Sequence, residues 1–133
     1  RRKPIIEIDL TPKSVLHSSA PFIESILYNL VGNAIKYAKQ NETPKIKVWT
    51  EVVDHTVHIH VRDNGIGIDI DRHGAKLFKL YTQLNTDVKG KGLGLYMVKT
   101  QVQLLGGKVF VKSELGKGSE FIVALPIREK NQD

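Results

Sequence analysis

Cysteine is missing from all 133 positions of this chain. That absence excludes disulfides, thiolate zinc sites and a cysteine nucleophile. Long apolar runs are missing too. No stretch reaches the length needed to span a bilayer, and no signal-peptide pattern stands at the start. Internal repeats and a linker-like composition are also lacking. The chain therefore reads as one domain, residues 1–133, large enough for a real core. Basic residues exceed acidic ones, and the formal net charge is +6. Such an excess attracts nucleic acid, an anionic membrane or a polyphosphate alike. The lysines are spread along the chain, with no Arg-rich helix and no basic–aromatic ribbon, so no nucleic-acid partner is expected. The opening Arg1-Arg2-Lys3-Pro4 carries no methionine and reads as part of something longer.

What is present is organised around residues 22–38. Ile23, Ile26, Leu27, Leu30, Val31, Ala34 and Ala38 recur at helical spacing and predict one apolar stripe. The helix is expected to stop near Gln40, where Asn41 and Pro44 break it. Asn29, Asn33, Lys36 and Tyr37 form a second row beside the stripe, at the edge of the core. Two carboxamides, an ammonium and a phenol placed there can meet a metal–phosphate group and an aromatic base. From this helix alone, a merely solvated polar flank is an equal reading.

The rest of the chain alternates. Residues 4–10 predict an edge strand with Ile6, Ile8 and Leu10 on one face, and residues 11–21 a turn-rich loop in which His17 is a surface side chain. Residues 45–53 and 56–62 predict a hairpin joined at Asp54-His55. Ile46, Val48 and Val52 should face in, as should Val57, Ile59 and Val61. His58, His60 and Arg62 should face water. His58 and His60 suit zinc by spacing, but no third ligand is evident in the sequence, so two surface histidines are expected. Asp63-Asn64-Gly65-Ile66-Gly67-Ile68 is a turn signal whose two glycines let backbone approach a flat ligand. Asp69 to Gly74 begins like a calcium loop but meets Leu80 where glutamate is required.

A short helix is predicted over 75–81, a mobile lid over 82–91 and a second helix over 93–105, with Met97, Val98, Leu104 and Leu105 apolar. Gly90-Lys91-Gly92-Leu93-Gly94-Leu95 leads into that helix, and a glycine-rich approach to a helix N-terminus is a phosphate site in principle. It is neither a dinucleotide fingerprint nor a Walker loop. Strands at 108–113 and 119–125 and a polar tail follow.

Taken in order, these motifs resemble the ATP-binding catalytic domain of sensor histidine kinases, in the group that includes gyrase, Hsp90 and MutL. Asn29 to Tyr37 resembles the N box, Asp63 to Ile68 the first glycine box and Phe78 to Tyr81 the F box. Gly90 to Leu95 resembles the second glycine box, and Gly116-Lys117-Gly118-Ser119-Glu120-Phe121 the closing glycine motif. The match runs over about residues 6–126.

The resemblance implies an α/β two-layer sandwich: a mixed, mostly antiparallel five-stranded sheet with about three helices on one face. It implies ATP and Mg²⁺ as ligands, with Asn29, Asn33 and Lys36 as the catalytic group and Asn33 ligating the metal. Tyr37 would pack near the adenine, Asp63 would accept from its amino group, and Gly65, Gly67 and Ile68 would lie against it. Ser119, where the family usually has threonine, would support Asp63 through a water. Gly92, Leu93, Gly94 and Leu95 would meet the phosphates, and Phe78 would anchor the lid. Lys91 replaces a small residue, and a phosphate contact is slightly favoured over a solvated charge.

Gyrase-like ATPases carry a glutamate base four residues before the metal-binding asparagine, and here that place is Asn29. The resemblance therefore implies transfer of the γ-phosphoryl to a histidine on upstream dimerisation helices, then to a response regulator receiver domain. It also implies a cytoplasmic domain of a membrane-anchored parent that is a homodimer, the isolated chain being monomeric and unable to phosphorylate itself. A regulatory nucleotide-binding module without transfer is the alternative. An anti-sigma serine kinase and a basic nucleic-acid binder rank below it.

Overall fold

The computed structural model describes residues 3–10, 20–79 and 93–127. Five strands form one sheet: β1 (Ile5–Asp9), β2 (Lys45–Val53), β3 (Thr56–Asp63), β4 (Lys108–Glu114) and β5 (Gly118–Pro126). Their order across the sheet is β1-β2-β3-β5-β4. Only β1 and β2 run parallel; every other pair is antiparallel. A parallel pair needs a crossover, and α1 (Ala20–Lys36) supplies it. Two further helices, α2 (Ile70–His73) and α3 (Gly94–Leu104), complete the described elements, with a 3-10 turn at Gly74–Lys76. The mixed sheet with helices on one face matches the expected architecture.

The core forms where α1 and α3 cover the inner face of the sheet. From α1 come Ile23, Ile26, Leu30 and Ala34, all buried, as the stripe predicts. Each fully buried large side chain, Ile26 among them, contributes about 1.5–3 kcal/mol. Val57, Ile59 and Val61 of β3 and Phe121, Val123 and Leu125 of β5 meet them. Gln101 of α3 donates to the Ser25 hydroxyl of α1 at 2.8 Å and ties the two helices together.

Several expectations need correction. α1 stops at Lys36, not near Gln40. The Tyr37 carbonyl accepts from Ile66 N–H at 3.0 Å, so the chain leaves the helix to dock on the loop after β3. Ala38 therefore lies beyond the helix and adds nothing to its stripe. On β1, alternation is present but both faces are exposed, with Ile6 at 42% and Ile8 at 60%. Thr50 takes the buried position on β2 while Val52 is exposed, because the strand outruns the helical cover. On α3 the buried face is Val98 and Val102; Met97 and Leu104 are exposed.

The expected helix at 75–81 is also displaced. The helical turns run from Ile70 to Lys76, because Asp69 caps α2 by accepting from Arg72 N–H at 3.3 Å. The capping carboxylate is the same residue that opens the failed calcium frame. Finally, His60 is buried at 8% exposure, not a solvated histidine, and lies stacked on Trp49. His17, Tyr81, the whole lid at 82–91 and the polar tail from 128 onward lie outside the described residues.

Candidate functional site

α1 turns its second row toward α3. Asn29, Asn33, Lys36 and the following Tyr37 line a cavity of about 440 Å³, closed on the other side by Leu77, Gly94 and Leu95. Four positions scattered over nine residues of sequence thus reach one space because the helix repeats every 3.6 residues. The Lys36 ammonium sits 5.4 Å from the centre of the Tyr37 ring. Asn29 Oδ1 stands 3.6 Å from where a Cβ on Gly94 would be, so the passage between the helices is narrow. Among the described residues no side chain caps α3 at Leu93, and its first N–H groups are presented where Gly94 and Leu95 line the cavity. A helix start of this kind carries positive partial charge suited to phosphate.

A second group gathers behind Tyr37. Asp63, the last residue of β3, faces inward and is paired across the sheet with Ser119. Its Oδ1 accepts from Gly65 N–H at 2.8 Å and from Ser119 N–H at 3.3 Å. Burial pushes the Asp63 carboxyl above its ordinary range, and the two N–H donors offset only part of that. Among the described residues no basic side chain is paired with it. A sheltered acceptor without a cation is suited to a neutral donor such as an exocyclic amine.

The two expected glycines have protein partners of their own. At Gly65 a Cβ would lie 2.6 Å from the Tyr37 carbonyl oxygen. Gly67 has φ +77°, and a Cβ there would sit 2.1 Å from the Glu114 carbonyl. So the first holds this loop against the end of α1 and the second holds it against the β4–β5 turn. Tyr37 and Gly67 also border a smaller cavity of about 220 Å³ with Ile66 and Ile68. Phe78 packs edge-on against the buried Phe121, ring centres 6.2 Å apart, at the near end of the undescribed stretch. Lys91 and Gly92 lie outside the described residues.

Two residues escaped the sequence reading. Ser113 accepts from Ile68 N–H at 2.7 Å, donates to the Gly118 carbonyl at 2.8 Å and meets the Ser119 hydroxyl at 2.7 Å. Its only signal is a polar residue at an inward position of β4, after Val109 and Val111. Asn64 accepts from Lys45 N–H at 2.8 Å and donates to the Thr43 carbonyl at 3.1 Å, fixing the start of β2 beside Asp63. Within Asp-Asn-Gly it reads only as a turn residue.

Comparison with known proteins agrees with this geometry. The family described as histidine kinase-, DNA gyrase B- and HSP90-like ATPase matches residues 18–129. The methanogenesis regulatory histidine kinase FilI of Methanothrix harundinacea is 37% identical over 105 residues, 78% of this chain and 12% of that protein. Full-length ShkA, solved in complex with AMPPNP, is 32% identical with a TM-score of 0.73 over 92% of this chain and 26% of that one. The nucleotide-free catalytic domain of histidine kinase ThkA is 25% identical with a TM-score of 0.74, covering 94% of this chain and 79% of that one.

Proposed function

We propose a mechanism for a chain that belongs to the histidine kinase-, DNA gyrase B- and HSP90-like ATPase family and is an ATP-binding domain of the sensor histidine kinase kind. It holds Mg-ATP in the α1–α3 cavity and offers the γ-phosphoryl group to a histidine outside this domain. One observation carries the reading. Among the described residues, the cavity lining contains two amides, an ammonium, two phenols, glycines and aliphatic side chains, and no carboxylate. A carboxamide at Asn29 cannot take a proton from water at neutral pH, so among the described lining residues none activates water for hydrolysis. Phosphoryl transfer then asks the protein mainly for positioning and charge neutralisation.

The donor set fits magnesium. Asn33, with Asn29 one turn before it, supplies neutral oxygens on one helix face, and a hard cation that keeps several waters needs few protein ligands. Bound there, the ion would neutralise phosphate charge. Lys36 adds a point charge on the phosphates, and the start of α3, with Leu93 as its N-cap and Gly94 and Leu95 on the cavity, receives their oxygens. Asp63 accepts from the adenine amino group, Tyr37 and Ile68 flank the base, and Ser119 holds Asp63 in place. Gly65 and Gly67 keep the intervening loop low enough for the base to lie on it. Phe78 fixes the near end of the lid, with Lys91 and Gly92 as phosphate contacts beyond it.

As one domain of a longer parent, the chain works with upstream dimerisation and phosphoacceptor helices and a receiver domain, on the cytoplasmic side of a membrane. Among the described residues no helix is long and apolar enough to cross a membrane. Calorimetry with ATP, with and without Mg²⁺, tests the binding reading on the parent and on Asp63→Asn. Affinity should need the metal and should fall roughly 10–100-fold in the variant, the value of a hydrogen bond to a charged group. Indifference to both changes would overturn it. Supplying the upstream helices should restore phosphohistidine formation, while the isolated chain forms none.

A further inference from the structure

The outer face of the sheet carries a constellation that the nucleotide site does not use. Glu51 of β2 pairs directly with His58 of β3, and Trp49 pairs directly with His60. One ligand atom each from Glu51, His58 and His60 lies within 4.8 Å of the others. We propose that these three side chains bind a divalent transition-metal ion of the zinc class. Imidazole with carboxylate suits zinc and its neighbours, whereas magnesium and calcium prefer all-oxygen ligands. Ligands of a tetrahedral ion stand about 3.3 Å apart for bonds of about 2.0 Å, so the cluster needs only side-chain adjustment.

His60 supplies the sharpest argument. Its Nδ1 lies 3.1 Å from Glu120 Oε2, and its Nε2 lies 2.9 Å from Glu51 Oε1. A neutral imidazole has one N–H. If Nδ1–H donates to Glu120, the Nε2 lone pair points at a carboxylate, and a cation between them removes the repulsion. A carboxylate behind a ligating histidine fixes its tautomer and raises its basicity. The other Glu120 oxygen takes a 2.7 Å hydrogen bond from Arg62, which holds that carboxylate still and neutralises the nearby guanidinium. Trp49 stacks on the His60 ring at 4.6 Å, nearly parallel, and fixes its plane. Histidines two apart on one strand point the same way, so His58 and His60 face one ion while Glu51 closes the set from the neighbouring strand. Three protein ligands leave a fourth position for water or a donor from another molecule.

The test titrates the 133-residue chain with Zn²⁺ in excess Mg²⁺, by calorimetry and by fluorescence of its single tryptophan. One equivalent should bind, with a change in Trp49 emission, and Co²⁺ should give the absorption of a four-coordinate site. Glu120→Gln should weaken binding by about 10–100-fold, the cost of losing an outer-shell partner, and His58→Ala and Glu51→Gln by at least as much. Glu51 is exposed and His58 half-buried, so both variants should fold and keep the parent's ATP affinity. Absence of stoichiometric binding would overturn the proposal. Binding that survives His58→Ala and Glu51→Gln would overturn it equally.

Discussion

Asp63 and Glu120 stand on adjoining rungs of the β3–β5 ladder, one paired with Ser119 and the other with Arg62. Burial pushes both carboxyls upward, yet they end on opposite sides of their ordinary values. Asp63, on the inner face, stays raised because, among the described residues, only the N–H groups of Gly65 and Ser119 answer it. Burial likewise raises Glu120 on the outer face, but hydrogen bonds and charge from His60 and Arg62 outweigh it and hold the carboxyl lower. One carboxylate is satisfied by its own protein, and the other is kept short of a donor. The carboxylate proposed to meet a ligand and the one that ties β3 to β5 therefore differ in what surrounds the charge.

Breaking the inner face outright should have the largest effect. Gly67→Ala forces a left-handed backbone on alanine and a Cβ onto the Glu114 carbonyl. A loss above about 2 kcal/mol is expected, seen as a lower urea midpoint or insoluble protein. Asp63→Asn separates function from stability. While nucleotide affinity falls, the variant should be more stable than the parent at neutral pH. A carboxyl raised on folding contributes stability fully below its ordinary value of 3.8 and loses it as pH rises through the folded value. The gap between variant and parent should therefore widen with pH, which thermal melts at several pH values will measure.

Glu120→Gln should behave in the opposite sense. In metal-free buffer it should cost about 1–2 kcal/mol near neutrality. That contribution is present above the ordinary value of 4.5 and is lost as pH falls through the lowered folded value, so parent and variant should converge in acid. The smallest effect belongs to Gly32, which lines the α1–α3 cavity and where a Cβ would meet nothing within 4 Å. Gly32→Ala should stabilise α1 by about 1 kcal/mol, as a slightly higher melting temperature.

The inner face was readable because its information is local. The α1 stripe, the second row of Asn29, Asn33, Lys36 and Tyr37, and the Asp63 loop each lie within one short stretch, and helical period or turn chemistry reveals them. The outer face was not, because Glu51, His58, His60 and Glu120 meet only through strand register, across as many as 69 positions of sequence from Glu51 to Glu120. Ser113 was missed for the same reason: its partners Ile68 and Ser119 come from two other segments. The end of α1 was misplaced because a tertiary hydrogen bond from Ile66, not the breakers Asn41 and Pro44, sets it.

The Ser113 hydroxyl has one hydrogen, and it goes to the Gly118 carbonyl. The Ser119 hydrogen must then point toward Ser113, leaving lone pairs on its other side. A water lodged between Ser119 and Asp63 would face two acceptors and would spend both its hydrogens on the protein. This corner thus presents acceptors rather than donors, the arrangement that the proposed contact between Asp63 and an exocyclic amine requires.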